Sequence, residues 1–471
     1  RRSVISSEYS PGKPFLDHYM PRLLDEGMYH ADGQIQDEVY VYGSFMQSKM
    51  QHMGVTCSDC HEPHSLELRQ PGNGACLQCH SAEKFDTKKH HFHDESTSGA
   101  SCAECHMPPT DYMVVDPRHD HSMRIPRPDL SVSLGVPNAC NQCHTDKDAS
   151  WSAKYVKQWY KKFPAGHQRF AEALDAGRKG DNRAGKLLAE QIRNLDTPDI
   201  ARATAISIIT PYIDQATFDV IHSGLKDENA LVRVASLQSL EGLPQEVLVR
   251  SAFPLLDDPV MTVRIEAARV LAAIPVGQLK GDQLAIYTKA ANEYIESQKV
   301  NADRPQAQLN LGNYYIAKQD MQKAESAYRQ AIKLETTFTP AYVNLADLYR
   351  SLGKENESEV ILREAIETVP DDASIHFALA LLLVRNQELD SAIAMLKKAV
   401  ELDADNVRYI YVYAIALNSA GKVKQALDVL HKAHLRYPGN ADILTALVTF
   451  NRDAGNDFAA QRYMKKLEKL R

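Results

Sequence analysis

From Trp151 onward the apolar residues recur at the three- and four-residue spacing of amphipathic helices; before Trp151 that rhythm is largely missing. Two longer periods lie over it. Asp196, Asp227 and Asp258 recur every 31 residues, and Arg202, Arg233 and Arg264 keep the same step inside apolar stretches that close at Ile209, Leu240 and Leu271. A unit of this length predicts a helix pair whose apolar face is covered only by stacking on its neighbours, a HEAT-like array over 151–300. The aspartates are expected at helix starts and the arginines as their ion-pair partners. From about Pro305 the period becomes 34. The small positions Gly312, Ala346, Ala380 and Ala414 repeat at that step, as do Ala324, Ser358, Ala392, Ala426 and Ala460, and Ala331, Ala365, Ala399 and Ala433. This is tetratricopeptide (TPR) spacing, over 301–471, in which small residues let the two helices of a unit touch. Tyr315 and Tyr349 fill the gap, Pro370 and Pro438 end their units, and the polar helix Lys465–Arg471 is expected to cap the array.

Residues 1–150 read differently. They hold 11 of the 22 prolines, which predicts a coil-rich domain. They also hold all eight cysteines, in four segments of one pattern: CSDCH (Cys57, Cys60, His61), CLQCH (Cys76, Cys79, His80), CAECH (Cys102, Cys105, His106) and CNQCH (Cys140, Cys143, His144). C-x-x-C-H is the pattern of c-type haem attachment. Two thiols three positions apart add across the two vinyl groups of one porphyrin, and the histidine that follows binds the iron. Paired C-x-x-C units also hold structural zinc, form a thioredoxin-like redox pair or close disulfides. None of these requires a histidine after every second cysteine, so the expectation is four covalently bound haems c. Such attachment takes place outside the cytoplasm, which places the chain in the periplasm or beyond, in a bacterial or archaeal cell envelope.

An iron held by one histidine still needs its second axial partner, and that partner decides between electron transfer and chemistry at the metal. The first 144 residues contain 13 of the 18 histidines. With His61, His80, His106 and His144 assigned to the motifs, nine remain. His64 follows a motif too closely to turn back to the same iron and would reach a neighbouring one. In His90-His91-Phe92-His93, which has room to serve two irons, His91 and His93 are the preferred ligands. His121 has Asp120 beside it to orient the imidazole, and ranks before His119. Met50, just ahead of the first motif, offers a thioether that would raise a haem potential. His167, His222, His376, His431 and His434 are expected as helix surface or packing residues.

Composition narrows the function. With 44% hydrophobic and 24% charged residues the chain has the make-up of a soluble protein. Its longest apolar run, Phe377 to Val384, is far short of the roughly 20 residues a spanning helix needs. A net charge of −7 without basic blocks argues against nucleic acid as a partner.

The run Tyr29-His30-Ala31-Asp32-Gly33-Gln34, then Val39-Tyr40-Val41-Tyr42-Gly43-Ser44-Phe45, CSDCHEPHS, HHFH, CAECHMP, DHS and PNACNQCH resembles the repeat-containing multihaem c-type cytochromes. Their haem part is distantly similar to cytochrome c nitrite reductase and is followed by HEAT-like and tetratricopeptide repeats. The resemblance covers essentially the whole chain. It implies a haem region that extends further towards the N-terminus, so the chain is expected to be part of a larger cytochrome, with His30 ligating an iron attached elsewhere. It also implies an axial ligand at Met50, where the nitrite reductases carry histidine. The C-x-x-C-K motif those enzymes use for catalysis does not occur here.

The expected fold is mainly α: a coil-rich tetrahaem domain (1–150), HEAT-like repeats (151–300) and TPR repeats (301–471). The expected function is electron transfer by a non-catalytic carrier, with redox proteins or further copies docking on the repeats. The alternative is a multihaem reductase of a small oxyanion or nitrogen compound with one open iron.

Overall fold

A computed structural model describes residues 2–9 and 11–468. The chain is mainly helical and divides into two compact units, 1–300 and 301–471.

The first unit opens on short elements. Arg2–Val4 pairs antiparallel with Tyr19–Pro21, and Pro109–Tyr112 with Asp116–His119, Pro109 standing opposite His119. Each cysteine motif occupies a single helical turn: Cys57–Cys60, Gly74–Leu77 with Cys79 just beyond it, Cys102–His106 and Cys140–Cys143. One turn brings residues three apart to the same face, which puts the two thiols of each motif side by side. Apolar side chains here are poorly covered by protein. Met53, Leu66, Met113, Val114 and Val115 are all more than half exposed.

A buried polar network organises this region. Arg124 donates to the carbonyl and carboxylate of Asp32 at 3.0 and 3.2 Å. Gln34 donates to Asp32 at 2.7 Å and to the Pro137 carbonyl at 2.6 Å. Gln168 reaches the carbonyls of Gln47 (3.1 Å) and Ser122 (2.8 Å). Buried amides and charges are tolerated when they are paired in this way, and the pairing ties segments distant in sequence into one frame.

Helix Ala149–Tyr160, capped by the Asp148 carboxylate on the Trp151 N–H, is the first long element. Further on, helices Asp199–Ile209, Ala230–Ser239 and Met261–Val270 begin 31 residues apart and pack in succession. The arginines do pair with acids, each with one of the following unit: Arg202 with Asp227, Arg233 with Asp258 at 2.8 Å, and Arg264 with Glu293 at 2.7 Å; Arg202 also pairs with Asp199 of its own helix at 2.9 Å. Asp227 and Asp258 lie ahead of the helix starts, where each accepts the N–H two residues on. One carboxylate therefore both turns the chain into its own helix and holds the previous unit's guanidinium.

Among the described residues the second unit contains five helix pairs, whose first helices start at Pro305, Thr339, Ala373, Val407 and Ala441. Each first helix packs on its second, and the small residues picked out by the 34-residue period are all buried. At Gly312 the approach leaves no room for a side chain: an added Cβ would stand 2.2 Å from the Tyr328 ring. Each pair turns on one residue with positive φ, namely Gln319, Gly353, Gln387, Gly421 and Gly455. Helix Asp457–Glu468 ends the described chain, and the last three residues of the expected capping helix lie outside the described residues.

Candidate functional site

The four cysteine turns lie in chain order. Burial pushes the Cys60 thiol up, and Cys76 and Cys79 of the second motif add to the effect. Cys76 lies beside Cys102 of the third motif. Burial, then Cys140 and Cys143 of the fourth motif, push Cys105 up to about 11, and burial with Cys76 does the same to Cys102. Thiols held this far up stay protonated, the reverse of the lowered pKa that activates a nucleophilic or redox cysteine. All eight are free of disulfides.

Three of the four motif histidines face another histidine. His61 stands 6.3 Å, ring centre to ring centre, from His121. His106 lies 6.1 Å from His90 with the planes only 12° apart, and His144 lies 6.3 Å from His93. Backbone carbonyls fix most of these rings. The Nδ1 atoms of His61, His106, His121 and His93 donate to the carbonyls of Leu66 (2.8 Å), Arg124 (2.7 Å), His119 (2.8 Å) and His91 (2.5 Å). A proton placed on Nδ1 leaves the Nε2 lone pair as the donor atom, the arrangement found around metal-bound imidazoles. Burial lowers the pKa of His106, His121 and His90, so these rings stay neutral, as metal ligation requires. Two neutral imidazoles facing each other across such a gap can hold one metal between them.

The neighbouring fold explains why His90 and His93 serve different partners. Phe92, at φ 59°, ends the turn Lys88–His91 in the left-handed region and redirects the chain. Its ring stacks on Trp159 at 4.5 Å, and the Tyr160 hydroxyl donates to the His90 carbonyl at 2.5 Å, so helix Ala149–Tyr160 clamps the segment. Gly99 makes room beside it, since an added Cβ would meet the His93 ring at 2.3 Å.

Among the residues expected as second ligands, His121 and His93 are brought opposite motif histidines. His90, not His91, occupies the third such position. The Nδ1 of His91 accepts the His93 N–H at 3.2 Å, and its Nε2 is buried without a partner. His64 is exposed, with its N–H on the Glu62 carboxylate. Met50 is half-buried at the turn before the first motif, and His30 is half-buried near Asp32 and Arg178. His119 donates from Nδ1 to the Met107 carbonyl at 2.7 Å. The His80 ring meets the edge of Phe85 at 5.6 Å. No signal in HHFH separates His90 from His91, because the choice is made by the turn at Phe92.

Comparison with known proteins bears on the repeats. Residues 315–382 and 286–337 match two tetratricopeptide repeat models, and residues 353–433 match the model for anaphase-promoting complex, cyclosome, subunit 3. Among solved structures, a crystal structure of MamA is 19% identical, with a TM-score of 0.32 over 35% of this chain and 91% of that one. YrrB, described as a TPR protein with an unusual peptide-binding site, is 18% identical with a TM-score of 0.31 over 37% and 91%. No curated protein matches. The C-terminal part carries tetratricopeptide repeats, an architecture whose exposed helix faces serve protein–protein interaction.

Proposed function

We propose that the chain is an extracytoplasmic multihaem c-type cytochrome that carries electrons, with four haems c tethered at Cys57/Cys60, Cys76/Cys79, Cys102/Cys105 and Cys140/Cys143. The observation that supports this best is the spacing of the histidine pairs. Two metal–imidazole bonds of about 2 Å, placed end to end, put ring centres about 6 Å apart once the reach from each nitrogen to its ring centre is added. His61/His121, His106/His90 and His144/His93 stand 6.1 to 6.3 Å apart. The exposed apolar side chains around the motifs, Met53, Leu66 and Met113 among them, suit the edge of a porphyrin.

Haem iron bound there would supply reversible one-electron chemistry at a potential set by its axial ligands. The chain's part is to hold the thiols in sequence, fix each ring by a carbonyl on Nδ1 and keep the imidazoles neutral. The order of the four turns, each beside the next, suits a relay from the first motif to the fourth. The tetratricopeptide unit would dock a redox partner or another copy of the chain. His64, His91, Met50 and His30 have no part in the three facing pairs.

Denaturing electrophoresis with haem peroxidase staining, followed by intact mass, tests the reading: four tetrapyrroles should remain on the polypeptide, and a mass without them overturns it. Fractionation should recover the protein outside the cytoplasmic membrane.

The contact of His80 with Phe85 favours a second reading, a multihaem reductase of a small oxyanion or nitrogen compound whose open iron sits at the second motif. Cyanide or nitrite binding by the oxidised protein would support that reading, and a purely low-spin, unreactive protein would end it.

A further inference from the structure

One further pair of histidines repeats the geometry of the motif pairs without belonging to any motif. His52 closes the turn Lys49–His52 just ahead of the first cysteine turn, and His167 lies in the loop after helix Ala149–Tyr160. Their ring centres are 5.8 Å apart with the planes 43° inclined, close to the 6.1 to 6.3 Å of the other three pairs. The Nε2 of His167 is buried with no hydrogen-bond partner. A buried ring nitrogen left unpaired is costly, and a lone pair directed at a metal is one way to satisfy it.

The donor set narrows the ligand. A bare zinc or copper ion takes three or four protein donors, and among the described residues no group of three or more His, Cys, Asp or Glu is placed to hold one. A porphyrin iron brings four nitrogens of its own and asks the protein for two axial donors. Lys49, Asp196 and Arg169 stand near His167; the two cations outnumber the one carboxylate, a balance compatible with the carboxylates a porphyrin carries.

We propose that His52 and His167 form a fifth axial pair, taking the iron of a haem that is not thioether-linked to any of the eight cysteines. The inference draws on the multihaem reading for its comparison distances, but its test is separate. That haem would be free haem: one attached through a C-x-x-C-H segment elsewhere would bring its own axial histidine and leave one of the two imidazoles unused.

Titrating ferric haem into the purified 471-residue protein, already carrying whatever haem it holds covalently, reads the site directly. The expected result is one equivalent taken up with a low-spin spectrum, and release of that equivalent alone by acidified acetone. His52→Ala and His167→Ala should each weaken the uptake at least tenfold while the covalent haem content, counted by mass, stays the same. Having two variants guards against one failing to fold. Uptake of free haem by the wild type supports the pair; uptake only when a haem-bearing partner segment is added overturns it. No uptake, or uptake that both variants retain, likewise overturns the pair. A mass lacking the four covalent haems would sink the multihaem reading and leave the titration to decide the pair on its own.

Discussion

Arg124 joins the buried frame to the candidate site through two different groups: its guanidinium donates to the Asp32 carboxylate at 3.2 Å, and its carbonyl accepts the Nδ1 proton of His106 at 2.7 Å. Both side chains of the ion pair are less than a tenth exposed. Removing one partner of a buried pair leaves an uncompensated charge and costs about 3–5 kcal/mol. Asp32→Ala should therefore lower unfolding stability by about that amount. If a haem is held at the third motif as proposed, the substitution should also broaden that haem's signals before those of the others, because the carbonyl that orients His106 moves with the guanidinium. Urea denaturation and the paramagnetic NMR spectrum measure the two effects, and a loss of stability with an unchanged spectrum would uncouple the frame from the ring.

His90 and His91 are adjacent in sequence and differ in what they face. If four haems are held as proposed, His90→Ala should convert about one in four from low to high spin, since one axial imidazole would be lost from the His106 side. His91→Ala should leave the spin state as it is. Electron paramagnetic resonance of the oxidised protein separates the two, and a reversal of the pattern would move the ligand to His91.

The contrast between those neighbours marks where sequence stops being informative. The cysteine motifs and their histidines stand out because all eight cysteines share one spacing. The 31- and 34-residue periods stand out because every unit solves the same packing problem with the same small residue, as Ala324, Ala392 and Ala426 do. Partners fixed by tertiary contact leave no such trace. The turn at Phe92 depends on Trp159, the orientation of His106 depends on Arg124, and His167, expected on a helix surface or in packing, lies instead in the loop after helix Ala149–Tyr160. The direction of the arginine pairing leaves no trace either, because Arg233 stands between Asp227 and Asp258 and either has the right chemistry. Only the packed array selects Asp258.

The inter-helix turns of the second unit give a prediction in which the sign is fixed by backbone conformation. Gln319 and Gln387 occupy, at φ 61° and 65°, the position that glycine holds in the other three pairs at φ 70° to 75°. A left-handed conformation costs a residue with a Cβ roughly 1 kcal/mol relative to glycine. Gln387→Gly should stabilise the second unit by about 0.5–1 kcal/mol, seen as slower amide hydrogen exchange in helices Ala373–Arg385 and Leu389–Leu402. Unchanged or faster exchange would mean that the glutamine side chain contributes more than its backbone costs.

Gly312 is the opposite case. Alanine is favoured over glycine inside a helix by about 1 kcal/mol. Here its methyl group would be 2.2 Å from the Tyr328 ring, whose hydroxyl is held by Asn313 at 2.8 Å. Overpacking of a fixed aromatic costs about 1–3 kcal/mol, so the clash should win and Gly312→Ala should be destabilising. Gly312→Ala combined with Tyr328→Leu should recover much of the loss.

Acid should act on the second unit through Asp372. This carboxylate caps helix Ala373–Arg385, accepting the N–H groups of Ser374 and Ile375 at 2.8 and 3.3 Å, and it also takes the Thr339 hydroxyl at 2.8 Å. Burial raises its pKa, but the hydrogen bonds from Ser374 and Thr339 outweigh burial and hold it below the ordinary carboxylate value of 3.8. With the folded pKa below the unfolded one, its contribution is complete above about pH 4 and fades as pH falls through the folded value. Asparagine caps a helix about as well as aspartate and does not titrate in this range. Asp372→Asn should therefore be less stable than the wild type near neutrality, by no more than about 1 kcal/mol, and the gap should close as pH falls to about 3. Amide exchange in helix Ala373–Arg385 follows this locally, without interference from carboxylates elsewhere. A gap that stays constant with pH would show that the cap acts by shape alone, and a gap that widens in acid would reverse the assigned direction of the shift.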